Sequence, residues 1–189
     1  GSFAQKVNRI LIALDVDDAV TQEAIERRAD MIIAHHPAIF RGIKQLRTDL
    51  PLGRRLAALL TNGIAVAAAH TNLDIVRGGV NDVLATHLGL EEISSFAVTA
   101  ETDGITESLG RVGVLPAPMD ALLFARQVKE RLGVTHVRLA AAAARPVRRV
   151  AVCGGAGAEF IDNAVRLGAD AYVTGDVKYH DAQRAIEQG

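Results

Sequence analysis

The chain has 189 residues, enough for one or two domains at about 100–200 residues each. Hydrophobic residues make up 49% and charged residues 23%, ordinary globular values that exclude a disordered or fibrous chain. The net charge of −1, from 21 basic and 22 acidic residues, excludes binding of nucleic acid by bulk charge and leaves only a local basic patch open. The single cysteine, Cys153, allows no internal disulfide, so the expected location is the reducing cytoplasm. No apolar run reaches the ~18 residues of a membrane span, and the first residues lack the basic stretch and apolar core of a signal peptide. No membrane partner is therefore expected.

Residues 9–16, Arg-Ile-Leu-Ile-Ala-Leu-Asp-Val, form a short apolar run with β-branched members and read as a buried strand. Asp17 and Asp18 then offer helix N-caps, and Ala19, Val20, Ala24 and Ile25 space like one helix face. Residues 31–34 read as a second strand. Pro51 suits the first turn of a helix whose apolar face is Leu52, Leu56, Leu59 and Leu60, and Asn62-Gly63 stops it. Residues 64–69 are a third strand, and a helix over 80–88 ends at Gly89. This is a parallel βαβαβ pattern, with strands apolar throughout, as expected where helices cover both sheet faces. Residues 91–108 are polar and weakly patterned and read as a linker or edge loop. Strands follow at 110–115, 136–139, 147–153 and 171–174. Helices are expected from the Asp120 cap to residue 132, over 157–167 and over 180–187. The alanine run 140–144 reads as a strand end or loop without function. The expectation is an α/β fold of two related lobes, residues 1–92 and 93–189, each a mainly parallel sheet flanked by helices.

In open parallel sheets ligands bind beyond the carboxyl ends of the strands. Asp15, the pair His35-His36 before Pro37, and His70-Thr71-Asn72-Leu73-Asp74 all fall there. Adjacent strand residues point to opposite faces, so both histidines serve one site only if the strand ends at them. Pro37, which lacks a ladder donor and keeps His36 extended, helps. Neutral imidazole is a common metal ligand and a carboxylate such as Asp74 can bridge two metals. Backbone-satisfied histidines would explain a lone residue. The pair together with His-x-x-x-Asp favours metal, with His35, His36 and Asp74 as ligands. The strand–helix loop Cys153-Gly154-Gly155-Ala156-Gly157 offers amides for a phosphate at Gly154, Gly155 and Gly157, yet it is neither a dinucleotide nor a Walker loop, and a tight turn explains it equally well. Cys153 fits a small buried position better than a thiol ligand. Residues 174–180 are dense in functional side chains, but Asp176 as cap and Tyr179-His180 as helix start account for them equally. His87 and His136 read as structural.

The ordered combination His35-His36-Pro37, His70-Thr71-Asn72-Leu73-Asp74 and Thr174-Gly175-Asp176-Val177-Lys178-Tyr179-His180 resembles the dinuclear-metal-centre hexameric proteins, the GTP cyclohydrolase 1 type 2 homologues. Gly78-Gly79-Val80-Asn81-Asp82 and Leu109-Gly110-Arg111-Val112-Gly113 extend the match over nearly the whole chain. The resemblance implies two related α/β lobes and a ring-shaped homohexamer whose metal sites face a cavity. It implies two divalent ions per subunit (zinc, iron or manganese) on His35, His36, Asp74 and a His and Glu of a Gly-His-x-x-Thr-Glu segment that would follow Gly189. The chain accordingly reads as an internal portion of a longer protein. The implied activity is metal-dependent hydrolysis of GTP; hydrolysis of another nucleotide-like or phosphorylated small molecule is the broader expectation, because the glycine loop permits phosphate binding, and His70, Asp15 and His180 are the candidate acid–base groups. The rival expectation is a metal-binding scaffold or chaperone without turnover. Aromatic residues are only 4%, so aliphatic patches and the 17 arginines would carry the hexamer contacts.

Overall fold

The computed structural model of the chain describes residues 1–102, 104–142 and 145–189. Of the alanine run 140–144, the last two residues lie outside the described ones. The chain divides into two compact units, Gly1–Asn72 and Leu73–Gly189.

The first unit is a three-stranded parallel sheet in the order β1 (Ile10–Ala13), β2 (Met31–Ala34), β3 (Ala65–Ala68), with α1 (Asp18–Glu26) and α2 (Pro51–Thr61) as crossovers. Asp17 caps α1, its carboxylate accepting from Val20 N–H at 2.8 Å. Pro51 opens α2, as its missing N–H and fixed φ predict. Ile32 and Ala34 of β2 pack with Leu11 and Val66 of the neighbouring strands beneath Ala24 of α1 and Leu59 of α2. The other face behaves differently. Ile10, Ile12 and Leu14 are exposed, Ile12 at 79%. Sheet coverage on both faces was the expectation, and the strand order explains why it fails here. Strands laid down in sequence 1-2-3 by crossovers of one hand place both helices on the same side. Helices α1 and α2 accordingly pack against each other.

The second unit holds a four-stranded mixed sheet in the order β4 (Glu91–Thr102), β5 (Ile105–Asp120), β6 (Pro146–Cys153), β7 (Ala171–Thr174). Only the β6–β7 pair is parallel; β4–β5 and β5–β6 are antiparallel. The expected linker 91–108 is thus mostly a long hairpin arm. Its period-2 signal is broken by irregularities between Glu91 and Ser94 and between Val98 and Ala100. The expected strand 136–139 is irregular chain, with only Val137 packed on the core. Helix α4 (Val80–His87) lies against β5 and β6, which is why the units divide at 72/73 and not at 92/93. The short helix α3 (Thr71–Ile75) spans that division in sequence. Helix α5 (Ala121–Leu132) starts at the Asp120 cap and ends at Gly133, as expected. A 3-10 turn (Ala158–Phe160), α6 (Ile161–Arg166) and α7 (Tyr179–Gln188) complete the unit. Leu88, Leu115, Val150 and Val152 form the fully buried centre of its core, with Phe124 and Val128 from α5. Among the described residues no helix is long and apolar enough to cross a membrane.

The two units share one device. The Asp30 carboxylate accepts from Asn8 and Arg9 N–H, both at 2.8 Å, and Asp170 accepts from Arg148 at 3.0 Å and Arg149 at 2.8 Å. In each case the aspartate's own N–H returns to the carbonyl of that arginine, Arg9 or Arg149. An aspartate between a helix and the next parallel strand therefore pins the preceding strand, just before its first residue in β1 and at its third and fourth residues in β6. The amides of Asn8 and Arg9 hold the Asp30 carboxyl below its ordinary range.

Two features of the second unit lead to measurable expectations. Gly110 has φ +75, and a Cβ there would stand 2.5 Å from the Val152 carbonyl oxygen. Gly110→Ala combines a left-handed backbone with a backbone clash and is expected to cost more than about 1 kcal/mol in urea unfolding. Asp82 is paired with Arg111, which holds its carboxyl below the usual range, helped by the Gly78 N–H. A carboxyl depressed in the folded state contributes stability above its unfolded pKa of about 4, and that contribution is lost as pH falls through the lower folded value. The urea midpoint of Asp82→Asn should therefore lie furthest below that of the parent at neutral pH. The gap should close progressively below pH ~4.

Candidate metal centre

The carboxyl ends of the first unit's three strands bring the site together. Beyond β2 the ladder continues for two more residues, with His35 N–H donating to Ala13 O at 3.2 Å and His36 N–H to Leu14 O at 2.9 Å. Ala69 N–H donates to Ala34 O at 2.9 Å and so sets His70 beside them. The rings of His35 and His36 lie 5.1 Å apart between centroids, and the His70 ring is 5.2 Å from the first and 5.8 Å from the second. One ligand-capable nitrogen of each imidazole falls within 4.8 Å of the others. The two adjacent histidines thus meet at the strand end instead of diverging across the sheet.

Hydrogen bonds set the ring chemistry. His35 Nδ1 lies 2.8 Å from the Ala69 carbonyl oxygen, and His36 Nδ1 lies 2.7 Å from Asp15 Oδ1. A carbonyl or a carboxylate only accepts, so each Nδ1 carries a proton, and in its neutral form each ring offers its lone pair at Nε2. Such an outer contact is the usual companion of a metal-ligating histidine. His70 Nδ1 is 3.4 Å from the Thr71 hydroxyl, and the Phe40 ring stands edge-on to it with centroids 6.1 Å apart. Beside His36 opens a cavity of about 330 Å³, lined among others by Asp15, Asp17, Pro37 and Arg55.

The remaining candidates stand as follows. Asp74 lies in α3, within the second unit, and its backbone carbonyl accepts from Asn81 Nδ2 at 3.0 Å. His180 lies in the first turn of α7, its ring 5.2 Å from that of Tyr179. Lys178, and not Asp176, occupies the N-cap position of that helix. The glycine loop is committed inside its own unit: Gly154 N–H donates to Asn81 Oδ1 at 2.8 Å and Gly157 N–H to Thr174 Oγ1 at 3.0 Å. The Gly155 carbonyl accepts from Gly175 N–H at 2.9 Å. The helix behind it, α6, begins only at Ile161 and has six residues. These contacts make the loop a cross-link between Asn81 and β7. Cys153 is buried, and burial pushes its thiol up, away from nucleophilic use. Burial likewise pushes up the neighbouring Tyr172 phenol, which donates to Gly157 O at 2.8 Å.

Two residues of structural weight carried no role in the sequence reading. Asn81 is fully buried and joins the Asp74 carbonyl to the Gly154 amide. Arg111, 8% exposed, donates to Asp82, to Ile75 O at 3.0 Å, and to Ser108 O and Gly110 O at 2.8 Å each. Both stand in segments that carry the family resemblance, which gave neither of them a role.

A family model for Duf34/NIF3 (NGG1p interacting factor 3) matches residues 1–189. The chain belongs to the DUF34/NIF3 family. A Streptococcus pneumoniae relative named GTP cyclohydrolase 1 type 2 homolog is 37% identical over 193 residues, covering all of this chain and 71% of the relative. A Bacillus subtilis protein of the same name is 30% identical over 292 positions, covering all of this chain and 78% of the relative, which therefore carries segments without a counterpart here. The crystal structure of a Bacillus cereus protein related to NIF3 superposes with a TM-score of 0.92 at 30% identity, over all of this chain and 78% of that one. Reduced HcgD from Methanocaldococcus jannaschii gives a TM-score of 0.82 at 26% identity, over all of this chain and 72% of that one. In this NIF3-family chain the donor set fits a divalent transition ion: imidazoles at mutual ligand distance, two with tautomers already fixed.

Proposed function

We propose that this NIF3-family chain carries the metal centre of a hydrolase that acts on a nucleotide-like or phosphorylated small molecule. His35, His36 and His70 would hold a divalent ion, with Asp74 as a further ligand of a two-ion site. The observation that carries the reading is the convergence of three imidazole nitrogens within 4.8 Å at the carboxyl ends of parallel strands. A divalent ion held there would supply Lewis acidity and a water of lowered pKa. GTP is the finer expectation, and it is supported by the name of the relatives and not by any guanine-reading group in this chain. The homohexamer is supported by the resemblance and by the exposed apolar row Ile10, Ile12 and Leu14, which an assembly would cover.

One observation favours the scaffold reading. Of the three candidate acid–base groups, His70 stands in the donor cluster and Asp15 is bonded to His36, so neither is set apart from the metal site. Metal analysis of the full-length protein, followed by a panel of nucleotides and phosphorylated metabolites, separates the two. Bound zinc, iron or manganese with hydrolysis of a panel member supports the enzyme. Bound metal with no turnover supports the scaffold, and absence of bound metal after loading overturns both. Sedimentation at micromolar concentration should give a hexamer, and a stable monomer would overturn the assembly.

A further inference from the structure

We infer that Asp15 is a positioning residue for His36: its carboxylate holds the imidazole in the tautomer and orientation that present Nε2 to a divalent cation. The inference rests on the metal reading above and adds to it a group that is not itself a ligand.

Three observations carry it. The contact between His36 Nδ1 and Asp15 Oδ1 is short, 2.7 Å, and of the charge-assisted kind. It is also built by the backbone. His36 N–H donates to Leu14 O at 2.9 Å, so the residue before Asp15 is clamped to His36 by the continuing β1–β2 ladder. Both side chains are about half exposed, His36 at 47% and Asp15 at 57%, so the backbone clamp and not burial brings the pair together. Finally, α1 does not use Asp15 as its cap, because Asp17 fills that position. The aspartate at the end of β1 thus has a hydrogen-bonded partner in the site and no part in starting the helix.

The two adjacent histidines are therefore oriented by different chemistry. His35 donates to a neutral carbonyl, that of Ala69, and His36 donates to a carboxylate. Asp15 acts through His36 in this arrangement and does not itself touch a reacting atom.

The test uses the full-length protein, its Asp15→Ala and Asp15→Asn variants, and cobalt(II) as probe. Asp15→Ala should lower cobalt affinity by about 10–100-fold and shift the visible d–d bands, with the far-ultraviolet circular dichroism unchanged. Asp15→Asn keeps an accepting oxygen but loses the charge, so it should recover part of the affinity. In the metal-free protein, nitrogen-15 spectra should show the His36 ring with its proton on Nδ1 in the parent and in Asp15→Asn, and a shift toward Nε2–H in Asp15→Ala. Parent-like affinity, bands and tautomer in Asp15→Ala would overturn the inference and leave the metal reading intact. A parent protein that binds no cobalt would overturn the metal reading, and this inference with it. If Asp15→Ala does not fold, Asp15→Asn decides: it must bind cobalt more weakly than the parent, and equal affinity overturns the inference.

Discussion

Arg111→Ala should destabilise the second unit by about 3–5 kcal/mol, the range for removing one partner of a buried ion pair. The guanidinium is nearly buried and spends its donors on four groups: the Asp82 carboxylate and the carbonyls of Ile75, Ser108 and Gly110. Removing it leaves Asp82 charged with, among the described residues, only the Gly78 amide as a hydrogen-bond donor, in a site where its side chain is 24% exposed. It also takes a donor from three carbonyls, of which Gly110 O keeps the Ser108 hydroxyl at 3.5 Å. Arg111→Lys should recover only part of the loss, because an ammonium does not reproduce the fork that reaches Asp82 and Ile75 together. The double variant Arg111→Ala, Asp82→Ala should be less damaging than the sum of the single changes, since it removes the stranded charge. Urea unfolding at neutral pH measures all three. A loss below about 1 kcal/mol for Arg111→Ala, the worth of an exposed pair, would show that the pair is effectively solvated.

The second large effect is on metal. His36→Ala and His35→Ala should each lower the affinity of the full-length protein for zinc or cobalt by more than about 100-fold, since even a partner behind a ligand is worth 10–100-fold. His70→Ala is expected to fall in the same class, because its nitrogen also lies within 4.8 Å of the other two. Competition with a chromophoric chelator gives the numbers. Parent-like affinity in His70→Ala would remove it from the ligand set and return it to the acid–base candidates. A parent-like result in both His35→Ala and His36→Ala would sink the centre itself. Fold stability serves as the control, because all three rings sit at strand ends, outside the core of Ile32, Ala34 and Leu59.

Much of this protein is readable from residues alone, and the reason is local. Met31–Ala34, Pro51–Thr61, Ala121–Leu132 and Ala171–Thr174 are bounded by their own caps, prolines, glycines and apolar runs, so short-range chemistry specifies them. The placement of Asp15, His35, His36 and His70 at strand ends also follows from sequence order, once the strands are parallel. Other features depend on partners far along the chain. The hairpin arm Glu91–Thr102 owes its strand to β5, and its bulges hide the alternation that would reveal it. The coverage of only one face of the first sheet follows from the order β1-β2-β3, which no single segment encodes. Helix α4 goes with the second unit because β5 and β6 are there to bury Ala85 and Leu88. Finally, sequence order places His70 on the same rim as the His35-His36 pair, but only the fold brings its nitrogen to ligand distance, turns the Ala69 carbonyl onto His35 and sets the Asp15 carboxylate on His36. Those contacts join residues 21 and 34 positions apart, and hydrogen-bond geometry over such distances is written by the sheet ladder and not by any motif.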